Sequence, residues 1–568
     1  MQKIIRIAKP DKQLQLRLSG ELSISPILAQ VLINRGIKSA QDAREFLEPK
    51  LADLLSPWQM KDMEPAVKRI IQAGKKKEKV LIFGDYDVDG ISSVVLLKTH
   101  LERLGIPVTH YIPHRVKEGY GLSQAAEEVA RNNNIKVIVT ADCGINSCAE
   151  IKKIRRWGID VIVTDHHEPQ GEIPPAYAII NPKRRDCPYR FKHLSGVGVV
   201  YKFIQALSNN NLWEELDLVA LGTIADSVAL TGENRIIARE GLKRLSVSPR
   251  PGIQALMDVA GINRERPLKS FFVSYVLAPR INASGRVDTA ESALSLLLSQ
   301  SDSQAEDLAK LLNSHNRKRQ KIEEKILNEA KSVIDKEINF KQDCVIVVSG
   351  QHWHTGVLGI VASRLAERYY RPTILISETT QGLHCRGSAR SIKDFSIFDA
   401  LAHCSKHLEN FGGHRLAAGL TISKKNIRRF REEINDFGRQ FLLKELLLPS
   451  IDVDMEVGLG VWEEGLVYQL KNLEPFGSAN PQPVFFTRNI TLRGQPQVLN
   501  RGTLKFWVTD SKFTYPVIAF GLAGLRQQLV DADSFSLLYH PEIDTWQDNH
   551  GLILRAKDII FDVPASNI

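Results

Sequence analysis

The chain has 568 residues, 43% hydrophobic and 25% charged, which excludes a disordered or fibrous protein and suits roughly three or four globular domains. Lys and Arg number 75 against 65 Asp and Glu, a formal charge of +10 that permits a polyanionic partner without requiring one. The six cysteines, Cys143, Cys148, Cys187, Cys344, Cys385 and Cys404, form no CxxC pair, the start MQKIIRIAKP has no apolar signal core, and no run of about 18 apolar residues suits a membrane span. A cytoplasmic protein with reduced thiols and no membrane contact is therefore expected.

Residues 1–60 read as a small helical entry segment broken at Pro26, Pro49 and Pro57. Over 61–300 strands and helices alternate: KVLIFG, ISSVVLLKTHLERLG, VTHYIP, SQAAEEVARN, IKVIVT, NSCAEIKKIRRWG and DVIVT, with helices from Gly196 to about Leu230. That alternation predicts a parallel sheet covered on both faces. Residues 301–338 hold no Pro or Gly and predict a long charged helix, most simply a connector. Its basic group Arg317, Lys318, Arg319 and Lys321 is expected to be mostly a solvated face. A second α/β unit over 339–448 starts at CVIVVSG, continues through VLGIVASRLAERY and TILIS, and contains a glycine-rich turn near Gly412. Over 449–568 short alternating runs separated by turn residues predict a small OB-like β-barrel. The fold class is thus α/β and multidomain: parallel-sheet domain, connecting helix, second α/β domain and C-terminal barrel.

The densest chemical signal is Asp85-Tyr86-Asp87-Val88-Asp89-Gly90. Three carboxylates at alternate positions after a buried strand repel one another and need a cation. A calcium EF-hand opens the same way, but its twelfth position would be Leu96 rather than Glu, and a strand rather than a helix precedes the motif. In parallel sheets ligands gather at the carboxyl ends of strands. Three such ends lead into Asp85–Asp89, into Asp142, and into Asp165, His166 and His167, while Asp226 follows a helical run. Each acid alone reads as a cap or turn residue; acids and imidazoles after three strands of one sheet read as a metal centre. Mostly oxygen donors with one or two imidazoles favour Mn²⁺ or Mg²⁺ over zinc, and several carboxylates suit two ions and phosphoryl hydrolysis.

GDYDVDG, TADCGI, TDHHEP and ADSVAL, in this order, resemble the four motifs of the DHH phosphoesterase superfamily. The resemblance implies metal ligands at Asp87, Asp89, Asp142, His166 and Asp226, with Asp142 and one aspartate of the first motif bridging two ions. It implies a catalytic role for Asp142 and for His167, which would contact the scissile phosphate, and a supporting or weak metal-binding role for Asp85. Some relatives carry a histidine where Phe83 stands, so a ligand from that position is absent here.

FGGHRLAAG resembles the signature of the DHH-associated domain, which implies that His414 faces substrate; His414 and Arg415 also offer donors beside glycines that admit a phosphate. PHRVKEGYGLS, LAPRINASGRV and CRGSARSI resemble the RecJ family within that superfamily. Arginines beside small residues suit bidentate phosphate capture. The likeness implies a terminal 5′-phosphate held by Arg115, Ser388 and Arg390, a backbone phosphate on Arg280, and further DNA contacts from Asn282 and Arg286. His352 and His354 precede a helix without nearby acids and read as structural. In the barrel, Trp507, Phe513, Tyr515, Phe506, Phe485 and Phe486 are available for base stacking and Lys505 and Lys512 for phosphates, with half the aromatics expected in the core. The implied activity is a monomeric 5′→3′ exonuclease on single-stranded DNA that releases nucleoside 5′-monophosphates in repair and recombination, with single-strand-binding protein and a helicase as partners. The alternatives are a DHH phosphodiesterase for short oligonucleotides or cyclic dinucleotides, and a non-catalytic nucleic-acid scaffold. The barrel argues against the first and the complete ligand set against the second.

Overall fold

The computed structural model describes residues 3–115, 117–378, 384–442, 444–544 and 551–561. The tail of the expected C-terminal domain, from Asp562 onward, lies outside them. The chain forms two compact units, one comprising Leu55–Val228 and Glu240–Pro449, the other Met1–Leu54, Ala229–Arg239 and Ser450–Ile568.

The first unit contains a five-stranded parallel sheet: β1 (Val80–Gly84), β2 (Val108–Tyr111), β3 (Val137–Ala141), β4 (Asp160–Thr164) and β5 (Ala178–Ile180), in the order β2-β1-β3-β4-β5. β1 and β3 are buried along their whole length, which is why they read as continuous apolar runs rather than alternating ones. Register aligns their carboxyl ends. Gly84 pairs with Ala141, and Ala141 with Thr164, so Asp85, Asp142 and Asp165 leave the sheet at one level. β2 and β3 flank β1 on opposite sides, which makes the β1–β3 edge a topological switch point where ligand crevices open.

Three helices frame that edge. α1 (Val88–Arg103) is capped by Asp87, whose carboxylate accepts the Gly90 N–H. α2 (Gly196–Ser208) is capped by Ser195, and α3 (Leu216–Ala225) ends at Asp226. Beyond α4 (Ala278–Val287), the expected connector is a 36-residue helix, α5 (Asp302–Glu337). It does more than connect. Ala305, Ala309 and Leu312 are buried in its first half, and Ile326, Leu327, Ala330 and Ile334 pack in its second half with Val348, Trp353 and Leu358. Arg317, Lys318 and Lys321 are exposed as expected, whereas the Arg319 guanidinium is held by Glu323 and Asn316.

The remainder of this unit is a five-stranded sheet of β6 (Ile346–Gln351), β7 (Thr373–Glu378), β8 (His384–Arg390), β9 (Leu408–His414) and β10 (Ala417–Ser423), in the order β9-β10-β8-β7-β6. β6 and β7 run parallel around α6 (Thr355–Tyr369); the other pairs are antiparallel. The glycine-rich stretch expected as a turn is instead a hairpin. Gly412 and Gly413 pair with Gly419 and Ala418 inside the strands, and the reversal falls at Arg415–Leu416. His354 is structural as expected, since its ring Nδ1 caps α6 by accepting the Gly356 N–H.

In the second unit β11 (Phe485–Leu499), β12 (Thr503–Thr509), β13 (Thr514–Ala519), β14 (Phe535–Asp544) and β15 (Gly551–Ile560) close a barrel in the order β11-β12-β13-β15-β14, with β14 returning to β11. Phe485, Phe486 and Phe506 are buried there, Tyr515 is half-buried, and Trp507 and Phe513 are exposed. The amino-terminal segment packs on this barrel: Leu28, Val31, Leu32 and Leu47 share a core with Trp462, Phe506 and Tyr539. Arg235, fully buried, donates to the carbonyls of Phe46, Asn472, Leu473 and Glu474. All six cysteines are free. Among the described residues no single helix is long and apolar enough to cross a membrane.

Candidate metal centre and phosphate pocket

The loops after β1, β3 and β4 bring the sequence-singled acids and imidazoles together. Three sets place one ligand atom per residue within 4.8 Å of each other: Asp85, Asp87 and Asp142; Asp89, His166 and Asp226; and Asp142, His166 and His167. Asp142 belongs to two of them, which is the position a bridging carboxylate would occupy. It adopts φ +63°, a left-handed conformation uncommon outside glycine and concentrated at functional sites. Its backbone is fixed by Thr164, whose carbonyl accepts the Asp142 N–H at 3.0 Å, and by the Tyr120 hydroxyl, which donates to the Asp142 carbonyl at 3.0 Å.

The imidazoles are set apart by their partners. His166 Nδ1 lies 3.0 Å from the Leu194 carbonyl, so the proton sits on Nδ1 and Nε2 carries the lone pair. Burial, reinforced by the neighbouring His167, lowers the His166 pKa to about 3, so the ring is neutral at neutral pH. His167 behaves oppositely. Burial opposes its charge, but the hydrogen bond and charge of Asp165 outweigh burial and raise its pKa. Its Nδ1 lies 2.8 Å from Asp165 Oδ1 and 2.9 Å from the Tyr120 hydroxyl, leaving Nε2 for a ligand.

Asp165 is the organiser of this corner. One oxygen accepts the N–H groups of His166 and His167 along with the His167 ring, and the other accepts the Ile145 N–H at 2.9 Å. Asp89 is held by the start of α2, accepting from Gly196 N–H at 2.7 Å and Val197 N–H at 2.8 Å. Burial and the charge of Asp87 still raise the Asp89 pKa to about 7. Burial likewise drives Asp85, Asp142 and Asp226 well above the usual carboxylate range, with neighbouring aspartates adding to it.

The fit to a cation rests on atoms left without partners. Asp85 Oδ1, Asp142 Oδ1 and His166 Nε2 are buried and accept no hydrogen bond. Asp142 Oδ1 and His166 Nε2 lie 3.2 Å apart, yet His166 is protonated on its other nitrogen. With Asp142 ionised these are two acceptors in contact, repulsive in a dry site and complementary to a divalent ion, which would favour the ionised carboxylate that burial otherwise opposes. Phe83 contributes no ligand; it is buried and stacks on Tyr111 with ring centroids 5.6 Å apart.

The arginines that the sequence scatters over 275 positions, from Arg115 to Arg390, converge beside the centre. Burial lowers the Arg286 pKa to about 9, and the neighbouring charges of Arg115, Arg319 and Arg390 add to it. Burial and Arg115 lower Arg390 as well. Arg115 lies over the Tyr86 ring, 4.6 Å from its centroid. Arg390 donates to Ser388 Oγ at 3.3 Å, and Arg286 donates to the Gly356 carbonyl. None of the three is ion-paired among the described residues. Guanidinium groups gathered without carboxylates form a socket for an anion.

Three further expected residues have the following surroundings. Asn282 Oδ1 accepts the Val88 N–H at 3.1 Å and so steadies the loop between Asp87 and Asp89. Arg280 donates to Asn313 on α5 and to the Val276 carbonyl. His414 is exposed on the β9–β10 hairpin and lines a cleft of about 690 Å³ with Arg415 and Gln170, the latter three residues beyond His167.

Sequence reasoning missed Tyr120 and two glycines. A Cβ at Gly196 would lie 2.4 Å from Asp142 Oδ1, and one at Gly359 would lie 2.7 Å from Arg390 Nη2. The string GYGLS beside Arg115 was the available signal for Tyr120; nothing local marks the glycines.

Comparison with known proteins places the chain in a family. The DHH family, N-terminal domain matches residues 79–223, the DHHA1 domain 342–440 and the RecJ OB domain 453–558. The single-stranded-DNA-specific exonuclease RecJ of Bacillus subtilis (strain 168) is 36% identical over 558 residues, covering 97% of this chain and 70% of that protein. The chain belongs to the RecJ family. The RecJ exonuclease of Escherichia coli (strain K12) is 34% identical, covering 81% of this chain and 83% of its own length. The crystal structure of RecJ in complex with Mn²⁺ from Thermus thermophilus superposes with a TM-score of 0.83 at 27% identity, covering 99% of this chain and 80% of that one. The Mg²⁺ complex of the same RecJ gives 0.77 at 26% identity, covering 99% of this chain and 79% of that one. The Thermus thermophilus RecJ thus holds Mn²⁺ or Mg²⁺, and this chain presents a cluster of acids and histidines that could hold a metal ion.

Proposed function

We propose that this RecJ-family chain is a metal-dependent exonuclease that hydrolyses single-stranded DNA from the 5′ end and releases nucleoside 5′-monophosphates. The observation that carries the reading is the buried contact between Asp142 Oδ1 and His166 Nε2, two acceptors at 3.2 Å without hydrogen-bond donors, near Arg115, Arg286 and Arg390, none of them ion-paired among the described residues. Asp87, Asp89, Asp142, His166 and Asp226 would hold two divalent ions, with Asp85 supporting them. Bound there, such ions supply a hydroxide at neutral pH and neutralise charge on the phosphate.

The chain's own residues supply the rest. Asp165 fixes the His167 tautomer and favours its imidazolium, whose Nε2–H donates to the scissile phosphate as negative charge builds. Arg115, Arg390 and Ser388 capture the terminal 5′-phosphate, which sets the polarity, while Arg286 adds positive charge beside them. His414 and Arg415 close over the substrate from the hairpin. The barrel, with Trp507 and Phe513 exposed, offers stacking faces of the kind that bind single strands. Small-substrate phosphodiesterases need no such barrel, which favours a polymeric substrate. On the family likeness we extend the proposal to a cytoplasmic monomer in DNA repair and recombination that works with single-strand-binding protein and a helicase.

The test is to incubate strands labelled at either end with Mn²⁺ or Mg²⁺. Release of the 5′ label first, as a mononucleotide, is expected. Release of the 3′ label first overturns the polarity, and cleavage confined to two-residue substrates overturns the polymer reading.

A further inference from the structure

Helix α4 is preceded by a single turn, Ser270–Phe272, and a π-helical turn, Val273–Leu277. Phe271 and Tyr275 stand on this stretch, 57% and 71% exposed, with ring centroids 5.0 Å apart and planes tilted by 31°. Two touching aromatics left in water are an unfavourable arrangement unless something covers them. π-Helical turns are rare and occur disproportionately at functional sites.

Position narrows the occupant. On the same stretch Ser274 Oγ reaches the Ile224 carbonyl at 3.5 Å, two residues before Asp226 of the metal centre. On the other side the Val276 carbonyl accepts from Arg280 at 2.6 Å. Arg280 also contacts Asn313 on α5, and burial with the nearby charges of Arg317 and Arg319 lowers its pKa. Arg317 and Lys318 are exposed, and neither they nor Arg280 are ion-paired among the described residues. The stretch that carries the aromatic pair is thus joined to the helix ending at Asp226 through Ser274 and to the cationic patch through Arg280. A protein partner or second copy would need a matching acidic and apolar face; a single nucleic-acid strand supplies bases and phosphates at that alternation.

We propose that Phe271 and Tyr275 form a stacking step for a nucleobase of the single-stranded substrate, with Arg280, Arg317 and Lys318 taking the adjoining phosphates. The inference rests on the exonuclease reading above and adds a subsite to it. Aromatic faces accept any base, so the step is indifferent to sequence.

The test uses the full chain with Mn²⁺ and a set of single strands, each carrying one abasic site at a successive position from the scissile end. In the parent protein one position, or two adjacent ones, should raise KM by roughly five- to hundredfold, the range of one base–aromatic stack. The double variant F271A/Y275A should show a similarly raised KM on intact strands, little change in kcat, and no further penalty at that position. The F271W/Y275F variant should keep the parent behaviour. An unchanged KM in F271A/Y275A, or an abasic penalty that simply multiplies with it, overturns the proposal. So does a change in oligomeric state by sedimentation with KM intact, which would assign the patch to contacts between copies. If the parent protein hydrolyses no single strand at all, the exonuclease reading fails instead. Both side chains are exposed, so thermal unfolding should stay near that of the parent.

Discussion

Gly196→Ala isolates the geometry of the metal centre from its chemistry. The added Cβ would lie 2.4 Å from Asp142 Oδ1 and 2.7 Å from its Cβ and Cγ. Carbon contacts settle near about 3.5 Å, so the Asp142 carboxylate must move by about 1 Å. It has little freedom to do so. Its backbone sits at φ +63°, with its N–H bonded to Thr164 and its carbonyl to Tyr120. The Gly196 N–H that serves Asp89 is retained in the alanine variant, so the perturbation is steric alone. Overpacking of this kind costs about 1–3 kcal/mol, and a reacting group misplaced by about 1 Å loses about 10²-fold in rate. Gly198→Ala, two residues on, is the control: its Cβ would meet no atom of Asp142 among its nearest neighbours, which are Ser195 Oγ at 3.2 Å, Leu194 Cδ2 at 3.3 Å and Leu194 Cβ at 3.5 Å, tight or ordinary contacts rather than impossible ones. It should stay within about 1 kcal/mol of the parent, helped by the helix propensity of alanine, and keep its activity. Mn²⁺ titration by calorimetry, nuclease rate on a single strand and thermal unfolding report the three consequences separately. Parent-like Mn²⁺ affinity and rate in Gly196→Ala, or equal loss in Gly198→Ala, would refute the argument that Asp142 placement is limiting.

Removing divalent ions should leave the clustered carboxylates uncompensated, so chelation is expected to abolish activity and lower the unfolding temperature by several degrees, with Mn²⁺ restoring both; an unfolding temperature indifferent to Mn²⁺ contradicts the assigned centre. Arg390→Ala should raise KM for a 5′-phosphorylated strand by about tenfold or more while a 5′-hydroxyl strand changes little; equal effects on the two strands would separate Arg390 from the terminal phosphate. Glu215 is buried against His100, Arg103 and Arg250, and although burial opposes its charge these partners hold its pKa down to about 2. Its folded pKa lies below the ordinary value of about 4.3, so its contribution, on the order of 3 kcal/mol, is present above that value and fades as pH falls toward about 2. The urea-unfolding gap between the parent and Glu215→Gln should therefore be wide near about pH 7 and narrow near about pH 3; a gap independent of pH would show that charge is not what Glu215 contributes.

Much of this architecture is already fixed by local pattern. Continuous apolar strands such as VLIFG and VIVTA can only be doubly covered, and a parallel sheet whose strands end together puts Asp85, Asp142 and Asp165 on one rim. Side-chain period and the chemistry of consecutive residues suffice for that, and for the closed barrel of alternating strands. What they cannot supply is which acceptor is left without a donor. Asp165 belongs to the same motif as His166 but is saturated by backbone N–H groups, while Asp142 Oδ1 and His166 Nε2 are bare. The Asn282 side-chain oxygen is found on the Val88 N–H, a partner 194 positions away that no local pattern announces. The β9–β10 hairpin hides inside a string that looks like a turn, because strand pairing, not composition, decides where Gly412 and Gly413 lie. The helices of the first 54 residues reveal an apolar face but not that the barrel covers it. The sequence alone thus determined the elements and the kinds of ligand present; the tertiary structure decided their partners, since hydrogen bonds and charge interactions depend on groups brought close from distant parts of the chain.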